Sequence, residues 1–196
     1  MKKFELTAEF VTNVFGKKLF RIKALVAFGN VEKGELGGFI EKENNLSHYG
    51  DAWVYGDAWV YGNAWVYGNA CVYGDACVYG DAWVSGDARV YGNAQVSGDA
   101  CVYGDARVYG DARVSGDADY AVVTGFGRYF RATTFFRCKD KILRVQCGCF
   151  YGDLAQFREI VKKTHGDSKY AKEYLAIADL MEFHFSDEEE NQEADE

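Results

Sequence analysis

Between residues 49 and 120 the apolar positions recur with a strict period of six. "YGDAWVYGDAWVYGNAWV", Tyr49 to Val66, is one unit written three times, and twelve units of the form [YS]-G-[DN]-A-x-V run on to Tyr120, the last degraded to "SGDADY". Ala and Val stand two apart in each unit, so in a strand they share a face and the variable residue between them points the other way. Gly followed by Asp or Asn supplies turn chemistry every six residues, too often for a helix and too regularly for a hairpin meander. The corner Asp and Asn residues are expected to hydrogen-bond turn backbone and to accept left-handed conformations. A fixed short period of this kind predicts a solenoid.

The flanks follow other patterns. "KFELT" and "KLFRIKALVAF", split by Gly16-Lys17-Lys18, predict a β-hairpin leading to an N-terminal cap. "GELGGFIEKENNLSHYG" predicts an irregular entry coil, with Gly37 and Gly38 turning the chain and Phe39, Ile40 and Leu46 covering the first rung. Beyond Tyr120, "YAVV", "RYFRATTFFRC" and "KILRVQCGCF" predict strands, with a turn at Lys139-Asp140 and with Cys147 and Cys149 on one strand face. Leu154, Phe157, Ile160 and Val161 fall at helical spacing behind Asp153 as N-cap, and Gly166 ends that helix. A second helix starts near Asp167-Ser168 and turns Tyr170, Tyr174, Ile177 and Leu180 or Met181 inward. "SDEEENQEADE" has no aromatic or β-branched residue and predicts a solvated acidic tail. The expected organisation is an N-terminal β cap and entry coil over 1–48, the repeats over 49–120, an α/β segment over 121–186 and a disordered tail over 187–196.

The hexads resemble the hexapeptide-repeat, left-handed parallel β-helix superfamily, in which an aliphatic residue and a small residue four positions later point inward. Val54 and Ala58 match that pattern, and so on to Val114 and Ala118. The resemblance implies three hexads per triangular coil, hence four coils in a prism roughly 20 Å tall. The fold class is therefore mainly β: a left-handed parallel β-helix with an N-terminal β cap and a C-terminal α/β cap. On such coils the outward columns are Trp53, Cys71, Arg89 and Arg107; then Trp59, Cys77, Gln95 and Arg113; then Trp65, Trp83, Cys101 and Asp119. Tyr55, Tyr73, Tyr91 and Tyr109 form a ladder. No array cysteine stacks on another, so disulfides between coils are not expected. "GELGGFIEKENNLS", the "YGDAxV" array, "VQCGCFYGDLAQF" and "HGDSKYAKEY" together resemble uncharacterised bacteriophage and prophage hexapeptide-repeat proteins, which implies a phage setting.

Charge changes the picture less than its distribution does. The net −8 gathers in the repeats and the final ten residues, while the segments before and after the array are positive. A duplex would meet like charge over much of the surface, so nucleic acid is not the expected partner. "FELTAEFVTN" lacks the apolar core of a signal peptide, and no apolar run reaches the roughly 18 residues of a membrane span. A cytoplasmic protein with reduced cysteines and no membrane contact is expected, in the host cytoplasm if phage-encoded.

Candidate chemistry is sparse. Many hexapeptide-repeat proteins transfer acyl groups, with a general-base histidine near a loop that interrupts the coils; here the coils have neither, and His48, His165 and His184 lie outside them. His48 is the remaining candidate base. Cys138, Cys147 and Cys149 with His165 or His184 have the donors for zinc but not the usual spacing, so packing thiols are expected, with no metal and no cofactor. Arg128, Arg131 and Arg137 interleave with Tyr129, Phe130, Phe135 and Phe136, a mixture that suits single strands; an amphipathic strand packing its aromatics on the terminal helices is the expected reading. Tyr61, Trp65, Tyr79 and Trp83, with Trp53 and Trp59, form the expected interface for homo-oligomers. Arg89, Arg107, Arg113, Arg128, Arg131 and Arg137 are the candidate partner contacts. The functional expectation is a non-enzymatic binding protein, an inhibitor or decoy of a bacterial defence component, with an acyltransferase and a bactofilin-like scaffold as rivals.

Overall fold

The computed structural model describes residues 2–186; the predicted acidic tail, 187–196, lies outside the described residues. Strands β1 (Phe4–Thr12) and β2 (Lys18–Ala24) form an antiparallel hairpin, and β3 (Leu36–Ile40) pairs antiparallel with β2. Eleven two-residue strands follow, β4 to β14: Trp53–Val54, Trp59–Val60, Trp65–Val66, Cys71–Val72, Cys77–Val78, Trp83–Val84, Arg89–Val90, Gln95–Val96, Cys101–Val102, Arg107–Val108 and Arg113–Val114. They stack in parallel, each strand on the one three hexads further along, as in Trp53 on Cys71 and Trp65 on Trp83. The result is a parallel β-solenoid of about four turns with three faces.

Each hexad works as its pattern demands. From Ala52 to Val114 the Ala and Val residues of the units are buried in one continuous core. The repeating glycines from Gly50 to Gly110 take positive φ at the corners, so the Asp and Asn beside them do not need to. This corrects the expectation of left-handed Asx residues. Their side chains act between coils instead: Asn63, Asn69 and Asn93 each donate an amide to the aspartate one coil on, Asp81, Asp87 and Asp111. The array ends one unit early. Ala118 is exposed in a 3₁₀ turn, Asp117–Asp119, and Asp119 folds back to accept from the Ser115 hydroxyl and amide, so it joins no outward column.

Coil ends carry main-chain groups with no neighbouring coil, and side chains complete them. Gly68 and Ala70 carbonyls accept from the amides of Ala52 and Trp53. The equivalent carbonyls of the first coil, on Gly50 and Ala52, accept from the Lys3 ammonium at 3.2 and 2.8 Å. Asn45 Nδ2 serves Gly62 and Ala64 in the same way. At the other end Cys101 and Arg107 offer N–H donors, and Asp117 Oδ1 and Thr134 Oγ1 accept them. The predicted entry coil is present: Phe39 and Ile40 stack on Trp59 and Val60, and Leu46 bridges to Val66. Gly37 and Gly38 do not turn the chain. They lie in β3 because a Cβ on either would stand 2.5 Å from the carbonyl oxygen of Val54 or Ala58.

Beyond the coils, β15 (Tyr120–Val123), β16 (Thr133–Arg137), β17 (Leu143–Cys147) and β18 (Phe150–Asp153) form an antiparallel meander. Residues 124–132 are a loop, so "RYFRATTFFR" is only half strand. Helices α1 (Leu154–His165) and α2 (Lys169–His184) pack on the meander, N-capped by Asp153 and Ser168. Phe157, Val161, Tyr174, Ile177 and Met181 build that core, whereas Tyr170 and Ile160 are exposed. Phe136 closes the solenoid core while its neighbour Phe135 faces the helices, so β16 is shared by two cores.

Candidate functional site

Three of the four tryptophans remain accessible. Trp53 does point away from the coil axis, but the N-terminal hairpin closes over it, with Phe4 and Phe28 edge-on at 6.2 and 5.3 Å. It is fully buried and belongs to the cap's core, which removes it from the expected interface. Trp59 is half-buried in its column between Phe39 and Cys77. Trp65 and Trp83 stand 39% and 47% exposed on the third face, edge to face at 6.3 Å.

The expected partners of that pair are redistributed. Trp65 stacks on Tyr67 at 4.2 Å. Tyr61 and Tyr79 stack on each other at 5.0 Å along a different corner. The rings thus group as Trp65 with Tyr67 and Trp83, and Tyr61 with Tyr79. The ladder Tyr55, Tyr73, Tyr91 and Tyr109 is continuous and gains a fifth ring, Tyr151 of β18, at 4.7 Å. Burial pushes the phenols of Tyr55, Tyr61 and Tyr151 up to about 12.

A second surface lies on the C-terminal cap. The loop 124–132 passes over α2: Gly127 donates its N–H to Glu173 at 2.9 Å, and a Cβ there would collide with the Tyr174 hydroxyl. Beyond it Phe130 holds a left-handed φ of 53°. Tyr129 and Phe130 are 62% and 69% exposed, so these aromatics do not pack on the helices as predicted. The guanidinium groups of Arg128 and Arg131 both lie over the Tyr129 ring, at 5.6 and 4.9 Å. Under them a groove of about 210 Å³ opens between the β17–β18 turn and the helices, floored by Phe150, Phe157, Val161 and Tyr174, with His165 at its edge. On the far side of Arg131 a second hollow reaches Arg107 and Asp105 on the solenoid.

The candidate arginines fall into two groups. Arg137 lies 4.0 Å from Asp119 and donates to the Phe185 carbonyl, and Arg113 donates to the carbonyls of Asn93 and Ala112. Both are occupied within the fold. Arg89, Arg107, Arg128 and Arg131 make no ion pair among the described residues, in contrast to Arg21, Arg144 and Arg158, each held by a carboxylate. Arg89 and Arg107 are direct neighbours on the first face.

The histidines and cysteines stand apart. His48 stacks on Phe4 at 4.3 Å, its Nδ1 accepts the Lys3 amide, and its Nε2 lies 3.6 Å from Glu43. Cys138 is buried at the solenoid end, bridged to Ala112. Cys147 ends β17 and accepts from the Thr133 hydroxyl, while Cys149 is exposed beyond Gly148, whose positive φ makes a turn between them. The two thiols therefore do not share a strand face. Among the described residues no three His, Cys, Asp or Glu side chains converge as a metal site would require.

No described helix is long and apolar enough to cross a membrane. The chain matches the YdcK beta solenoid repeat family at residues 52–68, 82–98, 94–108 and 106–118. No curated protein matches the chain. The matched stretches all fall within the coils, so the likeness concerns the solenoid and neither cap: the array is a β-solenoid repeat similar to that of the YdcK family.

Proposed function

We propose that the chain is a non-enzymatic binding protein that works as a small closed oligomer, joined through the third face of its solenoid. The observation that carries this is the exposed pair Trp65 and Trp83 with Tyr67, three large rings on a flat and rigid surface. Wet aromatic patches of this kind mark interfaces. A second copy suits the patch because of charge: the first and second faces end in Arg89, Arg107 and Arg113, whereas the third carries Trp65, Trp83 and Cys101 in its outward column. Two copies related by a twofold axis meet there without bringing arginine onto arginine.

A binding role also agrees with the histidines. With Nδ1 of His48 accepting the Lys3 amide and Nε2 facing Glu43, no ring lone pair is left to take a substrate proton. The phage resemblance makes a bacterial host component, such as a defence protein, the partner of the assembled protein.

Sedimentation velocity at micromolar concentration tests the assembly. The wild-type chain should run as a discrete small oligomer, and the double variant Trp65→Glu/Trp83→Glu as a monomer with an unchanged melting temperature. A monomeric wild type, or an oligomer indifferent to both substitutions, would overturn the reading. Open-ended polymers would favour a bactofilin-like scaffold, and a rise in melting temperature with acetyl-coenzyme A an acyltransferase.

A further inference from the structure

We propose that the groove on the C-terminal cap binds a free nucleotide, its base against the apolar wall under Tyr129 and its phosphates on Arg128 and Arg131. Guanidinium groups that tie this fold together find partners within it: Arg21, Arg144 and Arg158 each hold carboxylates at 2.7 to 2.8 Å. Among the described residues Arg128 and Arg131 are held by no carboxylate, yet both are drawn to one side of the molecule over a single ring. Two guanidiniums gathered at one ring with no carboxylate repel each other, and a ligand with several phosphate oxygens relieves that repulsion while taking forked hydrogen bonds.

The second half of the site is apolar. Phe150, Ile160 and Tyr174 line the groove beside those arginines, and Ile160 stays 38% exposed although its neighbour Val161 is buried. A planar heterocycle fits such a wall, where stacking on aromatic side chains is tolerant of base identity. The loop that brings the two halves together is built for its position. Gly127 passes within hydroxyl contact of Tyr174 where no side chain fits, its N–H is fixed by Glu173, and Phe130 holds left-handed backbone, a conformation that persists where surroundings enforce it and that gathers at ligand sites.

A free nucleotide is preferred over a strand because of what lies around the groove. Arg131 separates it from a hollow that contains Arg107 but also Asp105, and the coil corners beyond carry further aspartates, so the positive stretch is short. A longer polyanion would run from it onto carboxylates.

Isothermal titration of the full chain with ATP, adenosine, tripolyphosphate and an oligothymidylate of eight nucleotides tests the inference. ATP should bind saturably, with adenosine and tripolyphosphate each at least ten-fold weaker, since each meets half of the site. Arg128→Gln/Arg131→Gln should weaken ATP at least ten-fold, and Ile160→Asp comparably, while Arg158→Gln, which does not line the groove, should leave it unchanged. Melting curves of each variant identify any that fail to fold, and Tyr129→Ala, an exposed side chain, provides a further substitution with low risk to folding. Absence of ATP binding, binding that survives loss of both arginines, or tighter binding of the oligonucleotide than of ATP would overturn the proposal. Because the groove lies on the cap, these outcomes are read separately from the oligomeric state that tests the solenoid face.

Discussion

Lys3 shows how much one residue does where a solenoid starts. It is 3% exposed, and its ammonium donates to the carbonyls of Gly50 and Ala52 and lies 4.6 Å above the Phe28 ring. Burial pulls its pKa down from the ordinary 10.5 to about 8, against an opposing pull from Asp51. Between those values the unfolded chain holds the proton more firmly than the folded one, so the Lys3 contribution makes stability rise with pH from about 8 to 10.5. Tyrosines act in the opposite sense. Burial raises Tyr55, Tyr61, Tyr120, Tyr151 and Tyr174 to about 12. Their stabilisation is complete below the unfolded value near 10 and is lost as pH climbs through 12. Burial also raises the thiols of Cys71, Cys77, Cys101 and Cys138 above their ordinary 9.0, so above that pH they act in the same sense as the tyrosines and oppose Lys3. The Lys3 contribution is isolated by the difference between wild-type and Lys3→Met urea midpoints, which should shift in favour of the wild type from pH 8 to 10.5, while both proteins lose stability towards pH 12. A difference between the two proteins that stays constant from pH 8 to 10.5 would contradict this account. None of this was legible in "MKKFEL", because Gly50 and Ala52 are distant from Lys3 along the chain and only the closed coil brings them near. The same limit explains Trp53: hexad spacing says on which side of a strand a side chain leaves, not what another segment lays over it.

At the scale of elements the coil is the unit, since each inner strand pairs only with the strands three hexads before and after it. A solenoid was readable from the hexads, because Ala and Val at fixed positions share one strand face; the step of three hexads per coil came from the resemblance to hexapeptide-repeat β-helices. The corner chemistry was half readable. Glycine was the evident turn residue, but the Asn amides reach forward to the next coil's aspartate, and this depends on the three-hexad step rather than on the local turn. Deleting 74–91 should test the coil as a unit: it removes three whole hexads, joins Tyr73 to Gly92 and leaves Asn69 over Asp105, keeping every face in register. The product should fold cooperatively, with a melting temperature lower by only a few degrees. Deleting only 74–79 rotates everything downstream by one face. Cys71 would then lie over Gln95 rather than Arg89, and the C-terminal cap would be turned by a third of a circle relative to the N-terminal one. Coil-to-coil pairing survives that change in principle, so the shorter deletion should also fold. It should, however, break the tyrosine ladder that now runs from Tyr55 to Tyr151 and shift the tyrosine near-ultraviolet circular dichroism more than the longer deletion does.

For the whole molecule the decisive question is how the ends are closed, because an open coil would present its core and its unpaired main chain to another copy. The hairpin β1–β2 with Lys3 and Asn45 closes one end. The other is closed by β16, whose adjacent residues face opposite ways: Phe136 enters the solenoid core, and Phe135 packs edge-on against Phe157 of α1 at 6.1 Å. Both phenylalanines are fully buried, and truncation of either should cost about 3–5 kcal/mol. The equal cost separates two architectures. If β16 is the lid of the solenoid, Phe136→Ala opens the last coil at Val108 and Val114 and should produce end-to-end association, seen as a sedimentation coefficient that climbs with concentration. Phe135→Ala loosens the helices instead, and should lower ellipticity at 222 nm on mild heating while the particle keeps its wild-type size. The reverse assignment, with polymers from Phe135→Ala and a stable size in Phe136→Ala, would mean that the helices and not β16 guard the end. The run "TTFFR" carries both roles in neighbouring letters, and alternation along a strand explains why: period two sends consecutive side chains to opposite faces, so a strand between two cores needs an apolar residue at both.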